Sequence, residues 1–237
     1  MSLPDLRVVL CQPRNPLNIG AAARAISNFG FSRLRVVNPY DRAFREAVSA
    51  VGGAAILQSA ELYAELAGAL RDCTMVAGTT AIGHRELQHP LLTLAEAAPL
   101  IRDNSGPVAL LFGSEKFGLS NEEMAFCHYL IHIPTSPQTP SMNLGQAVAV
   151  CLYELTRKPV TGRTPLTAKS VDGSDAEQIT RMMLEVLRES GYTNRIVSKS
   201  IELKVRRFVR RIHLTARDAP LVLGILRQIL WKFQDKL

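Results

Sequence analysis

Asn18, Arg24, Glu115, Ser141 and Asn143 are the side chains best placed to do chemistry, because they stand just beyond short apolar runs that read as strands. Gly113 precedes Glu115 at one of these ends, and Pro134, Pro137 and Pro140 stiffen the loop before Ser141. Ser141 or Asn143 can cap the helix after that loop by accepting from its first N–H groups. A rigid loop feeding a helix start can equally hold a polar ligand. Arg24 lies in an Ala-rich segment, as a solvated side chain or as a cation whose small neighbours let another chain or a nucleic-acid backbone approach. Several chemistries are excluded. The first strand is not followed by GxGxxG, and no GxxxxGK[ST] occurs. Ser114 sits in FGSEKFG, which is not the GxSxG elbow of an esterase. His84, His89, His128 and His132 match no metal-ligand spacing, so no metal is expected.

The elements around these residues alternate. Arg7–Cys11, Leu34–Val37, Thr74–Thr80, Val108–Phe112 and Tyr129–Ile133 read as buried strands. A helix is expected from about Asn18 to Gly30, another over Leu62–Leu70, and one after each of two capping boxes, Thr93/Glu96 and Ser120/Glu123. From Leu144 to Leu155 apolar side chains recur at helical spacing. This pattern predicts an α/β fold with a mainly parallel sheet covered on both faces by helices. Sites in such sheets form at the C-terminal strand ends. There residues 15–18, 79–81, 113–115 and 135–143 converge.

Residues 158–174 read as a linker between a domain over 1–157 and a small all-helical extension over 175–237. Ser174 and Glu177 are expected to cap the first tail helix. In the next, Ile201, Val205, Phe208, Val209 and Ile212 form an apolar face opposite Arg206, Arg207, Arg210 and Arg211. The last is apolar at Val222, Ile225, Leu226, Ile229 and Phe233. The chain carries 28 basic and 21 acidic residues, a net +7, which points to a polyanionic partner. The four cysteines are scattered without a CxxC pair and read as reduced core residues. The start MSLPDLR lacks the marks of a signal peptide, and no apolar run spans a membrane, so a cytoplasmic protein is expected.

NPLNIGAAARA, LLFGSEKFGLSNEE and IPTSPQTPSMNLGQAVAVCLYE resemble, in order, the three motifs of the SpoU/TrmH branch of the SPOUT RNA methyltransferases. The tail, with ESGY and KVRRFVRRIHLTARDAPLVLGILRQIL, is similar to the C-terminal extension of the TrmJ subfamily, which methylates the ribose 2′-hydroxyl at tRNA position 32. The resemblance implies a C-terminal trefoil knot in the sheet domain, S-adenosylmethionine as cofactor, tRNA as substrate, and a homodimer with sites shared between subunits. It makes Arg24 the catalytic arginine, helped by Asn18, with Glu115, Ser141 and Asn143 completing the set. It assigns the cofactor to Thr79, Thr80, Ala81, Gly113, Ile133, Pro140, Ser141 and Met142.

The family proposal makes the arginine a base, but a guanidinium hardly ever loses its proton. Arg24 is better read as a cation that binds a phosphate beside the target ribose and stabilises the developing alkoxide. The basic tail, through Arg206, Arg207, Arg210 and Arg211, is expected to contact RNA phosphates. Ser114 and Met142 depart from the common pattern, the first leaving any substrate contact there open and the second conserving volume. Two other readings stand beside this one, the same chemistry on ribosomal RNA and a non-catalytic RNA-binding protein of the same fold.

Overall fold

The computed structural model describes residues 3–40, 44, 53–81, 89–157, 170–192 and 198–234. His84 and most of the linker expected over 158–174 lie outside them. Seven strands form one sheet: β1 (Leu6–Cys11), β2 (Leu34–Val37), β3 (Glu61–Tyr63), β4 (Met75–Thr79), β5 (Leu91–Thr93), β6 (Val108–Phe112) and β7 (Tyr129–His132). Their order is β3-β2-β1-β6-β4-β7-β5, and every pairing is parallel. The strands connect through α1 (Pro16–Asn28), α2 (Ala54–Gln58), α3 (Leu66–Leu70), α4 (Leu94–Asp103) and α5 (Asn121–Met124); α6 (Leu144–Thr156) comes after β7. The tail holds α7 (Gly173–Glu189), α8 (Ser198–Arg211) and α9 (Asp218–Gln234).

Each central strand is buried on both faces, which is why β6 reads as an unbroken apolar run and β1 and β2 as apolar runs broken only by Arg7 and Arg35. Odd and even residues serve different layers. Val8, Leu10, Leu110 and Phe112 pack with α1, α4 and α6, whereas Val9, Cys11, Ala109 and Leu111 pack with α3 and α5. A third cluster joins α7, α8 and α9 through Ile179, Val205, Val209, Leu223 and Leu226. All four cysteines are buried and free. Arg7 and Arg35 are also buried in the sheet. Asp72 holds both, accepting from Arg35 at 2.6 and 3.1 Å and from Arg7 Nε at 3.1 Å.

Several expectations are corrected. Residues 62–70 do not form one helix: Glu61–Tyr63 pair with Arg35–Val37 as β3, and only Leu66–Leu70 are helical. The sheet's open edge supplies hydrogen-bond partners that outweigh helix propensity there. Leu91–Thr93 form a strand, too short for a sequence period, against the β7 edge. α1 begins at Pro16, with Asn15 as its cap accepting from Leu17 N at 2.9 Å. α7 is capped by Asp172, not Ser174, and starts at Gly173. Gly173 touches the Leu70 carbonyl so closely that any Cβ there would collide with it, and Ser174 N bonds to Arg71 O at 2.9 Å. This contact seats the tail on α3. In α9 the buried residues are Ala219, Leu223 and Leu226, while Ile225 and Ile229 are exposed.

Candidate active site

The segments that leave β1, β4, β6 and β7 build the site. After β1 the chain turns through Gln12, whose φ is 51°, and enters α1 at the Asn15–Pro16 cap. After β6, Ser114 bridges back to Gly118, closing a tight loop that projects Glu115. A Cβ on Gly113 would collide with the backbone of Gly118 and Leu119, so this loop requires glycine there. After β7 the proline-bearing loop runs to Asn143, whose side-chain oxygen accepts from Gly145 N at 3.0 Å and Gln146 N at 3.3 Å, starting α6.

Three of the five candidate catalytic residues are bonded in a row. The Glu115 carboxylate accepts from the Asn18 amide at 3.2 Å and from the backbone N–H groups of Arg14 and Asn15 at 3.1 and 3.0 Å. Asn18 Oδ1 in turn accepts from Asn143 Nδ2 at 2.8 Å. The amide orientations are thereby fixed at both ends, since each Asn has one atom committed to donate and one to accept. Partial burial works against the ionised form of Glu115. Hydrogen bonds from its own backbone, Asn18, Asn15 and Arg14 outweigh that, and its pKa lies below the ordinary carboxylate value. Glu115 is therefore an ionised clamp at neutral pH rather than a proton acceptor.

Beside this row opens a cavity of about 560 Å³. All eight residues assigned to the cofactor line it: Thr79, Thr80, Ala81, Gly113, Ile133, Pro140, Ser141 and Met142. Asn18, Glu115 and Asn143 line it too. Its size suits a nucleoside-sized ligand. Its walls pair an apolar side (Ile133, Met142, Leu144, Ala147) with a polar rim. In the sequence Leu144 and Ala147 are legible only as helix-core positions, because their periodicity serves both roles. The two other candidates differ from the bonded row. Ser141 lines the cavity but makes no hydrogen bond among the described residues. Arg24 is exposed on α1 and does not line the cavity of its own chain. Among the described residues no group of His, Cys, Asp and Glu could hold a metal, and no helix is long and apolar enough to cross a membrane.

The tail corrects one part of the sequence reading. The helical spacing puts Arg206 and Arg210 on the solvent side of α8, but they are buried, at 9% and 2% exposure. Glu177 of α7 draws Arg206 inward, accepting at 2.7 and 3.3 Å, and its guanidinium lies 4.7 Å from the Phe126 ring centre. Arg210 shares the inward stripe with Val205 and Val209, and its Nε and Nη1 have no partner. Phe208 and Ile212, expected in the core, face out. Arg211 remains exposed and Arg207 half-buried.

Comparison with known proteins identifies the family of this fold. The profile of the SpoU rRNA Methylase family matches residues 5–153, which span all three motifs. The tRNA (cytidine/uridine-2'-O-)-methyltransferase TrmJ of Yersinia pestis (strain Pestoides F) is 31% identical over 99% of this chain and 94% of its own. The tRNA (cytidine/uridine/adenosine-2'-O-)-methyltransferase TrmJ of Pseudomonas aeruginosa (strain UCBPP-PA14) is 41% identical over 65% of this chain and 61% of its own. The crystal structure of TrmJ from Z. mobilis ZM4 superposes with a TM-score of 0.84 at 29% identity, covering 96% of this chain and 99% of that one. The likeness thus extends through the tail as well as the sheet, and the chain belongs to the SpoU methylase family, closely related to its TrmJ members.

Proposed function

We propose that this protein is an S-adenosylmethionine-dependent tRNA 2′-O-methyltransferase acting on cytidine or uridine, with position 32 of the anticodon loop as its target. The observation that carries this reading is the bonded row Glu115–Asn18–Asn143 at the rim of a cavity lined by every residue assigned to the cofactor. The small and apolar residues of that cavity fit a nucleoside with a short polar tail, held largely by main-chain groups. S-adenosylmethionine, when bound, supplies a methyl group already activated on a sulfonium. What remains for the protein is alignment of a ribose oxygen and stabilisation of the charge that develops on it.

Asn18, Glu115 and Asn143 fix the first, second and third motifs to one another, so the cavity walls keep their spacing. Arg24 serves as the cation for the phosphate beside the target ribose, and the hydroxyl proton leaves to water or phosphate. Because Arg24 is exposed and does not line its own cavity, we assign it to the site of a second protomer, which makes the working unit a homodimer. The exposed stripe Leu17, Ala21 and Arg24 on α1, with Leu17 at 76% exposure, supports that assembly. Support for the trefoil knot comes from the strand order, which sets β4 between the later β6 and β7, and from the return of the 133–143 loop to α1. The division into a 1–157 catalytic domain, a linker and a helical extension accords with the separate clustering of the tail, which already includes Val171, so the extension begins a few residues before 175. Arg207 and Arg211 are retained as phosphate contacts, and Arg206 and Arg210 are not. Cytoplasmic residence fits four free, buried cysteines.

Incubation with tRNA and methyl-labelled S-adenosylmethionine, then nuclease digestion and mass spectrometry, tests this reading. Labelled 2′-O-methylcytidine or 2′-O-methyluridine at position 32 is expected. Label in ribosomal RNA alone, or in no RNA, overturns it.

A further inference from the structure

Helix α8 presents a surface that the cavity and its rim do not use. Lys204, Arg207, Phe208 and Arg211 succeed one another at spacings of three, one and three residues, which places them along one helical face. Phe208 is 44% exposed and Ile212, one turn on, 43%. Lys204 and Arg211 are exposed, and no ion pair or hydrogen bond engages Lys204, Arg207 or Arg211 among the described residues. The Nε of Arg207 is buried yet unpartnered. Glu202, the one acid of the helix, is taken by Arg206 at 3.1 Å. On the flank toward the sheet sits His89, held neutral by burial and by the charges of Arg207 and Arg211, which bring its pKa down to about 4.

An aromatic ring left in water among unpaired cations fits few partners. An apolar protein surface would have to desolvate three uncompensated charges. A duplex offers phosphates but no free base face. An unpaired stretch of RNA offers both, since a base stacks on the ring while flanking phosphates meet the cations. We propose that Phe208 is a stacking platform for an unpaired base of the RNA substrate, with Lys204, Arg207 and Arg211 gripping the adjacent phosphates. This deepens the tRNA reading above and rests on it.

The position is consistent with one RNA reaching both places. His213, just past α8, stacks on Tyr129 at 5.1 Å between ring centres. Tyr129 opens β7, and Ile133 of the cavity lies just past its end, four residues or about 13 Å along the strand. The inward positions of the helix are already filled by Val205, Arg206, Val209 and Arg210, so no rotation would bury Phe208 without expelling them.

The test uses the full chain and an anticodon stem-loop RNA carrying 2-aminopurine at each loop position in turn. One position should show quenched fluorescence with the unaltered protein and no quenching with Phe208→Ala. Phe208→Ala should raise the Kd roughly tenfold without changing the slope of log Kd against log salt, and Phe208→Tyr should restore binding. Arg211→Gln should instead lower that slope by about one. If the unaltered protein methylates tRNA but Phe208→Ala binds it equally well, the platform is refuted and the functional reading stands. A Phe208→Ala variant whose sedimentation changes while its RNA affinity does not would make this face a contact between copies, which also refutes it. If the unaltered protein binds no RNA, the functional reading fails first and the platform with it.

Discussion

The cavity rim and the seam between sheet and tail treat charge in opposite ways. At the rim, the Glu115 carboxylate accepts three hydrogen bonds, and its donor Asn18 is locked by Asn143. At the seam, Arg210 is buried with two N–H groups unpartnered, and His89, His128 and His213 are all held below the ordinary histidine pKa, mainly by burial. A saturated network is rigid and suits alignment of reacting atoms. Arg210 itself is out of a polyanion's reach, and only the exposed cations beyond the seam, Lys204 and Arg211, are open to one. Under the proposed function the rim would hold geometry, and the exposed cations beyond the seam would recruit substrate.

Breaking the division at its most demanding point, Arg24→Ala should lower methyl transfer by roughly a thousandfold. Cofactor affinity by calorimetry should stay unchanged, and unaltered turnover would remove Arg24 from its role. Glu115→Gln keeps the shape but removes the charge that three donors address. It should cost roughly a hundredfold in kcat/KM through misalignment of the first motif, and retention of full activity would show that the clamp is dispensable.

The opposite sign is expected at the seam. Arg210→Met removes a buried, poorly partnered charge and should raise the Tm by about 2–4 °C in calorimetry. A drop of similar size would mean that Arg210 is satisfied in solution. Acid should loosen the seam in a defined window. Histidines whose folded pKa is depressed contribute stability that is whole above the unfolded value near ~6.5. That stability is lost as pH falls toward about 4, the value His89 reaches. Urea unfolding at successive pH values, followed by the single tryptophan, Trp231, should show stability falling between those limits. The smallest effect is expected of Met142→Leu, a volume-conserving change at the cavity wall, with cofactor affinity within about twofold.

Much of the sheet domain is legible in the sequence because doubly buried parallel strands are mostly apolar and capping boxes mark helix starts. Both boxes form as read, Thr93 with Glu96 and Ser120 with Glu123. The convergence of loops at one edge is a consequence of the alternation of elements, and the cavity gathers the residues named for it. What the sequence conceals is set by tertiary competition. Glu61–Tyr63 join β2 as a strand because an open edge is available. Arg206 turns inward because Glu177, 29 residues earlier, lies across from it. The sequence of α8 has one apolar face, but the buried stripe is rotated from it, keeping Val205 and Val209 inside while Arg206 and Arg210 turn in and Phe208 and Ile212 turn out. Arg24 is legible as a candidate cation, but its separation from the cavity of its own chain is not.

The most direct test is a crystal structure with S-adenosylmethionine. The account predicts the donor in the cavity between residues 79–81 and 140–142, its sulfonium side facing the Asn18–Asn143 pair. Donor bound elsewhere, with this cavity left to solvent, would contradict it.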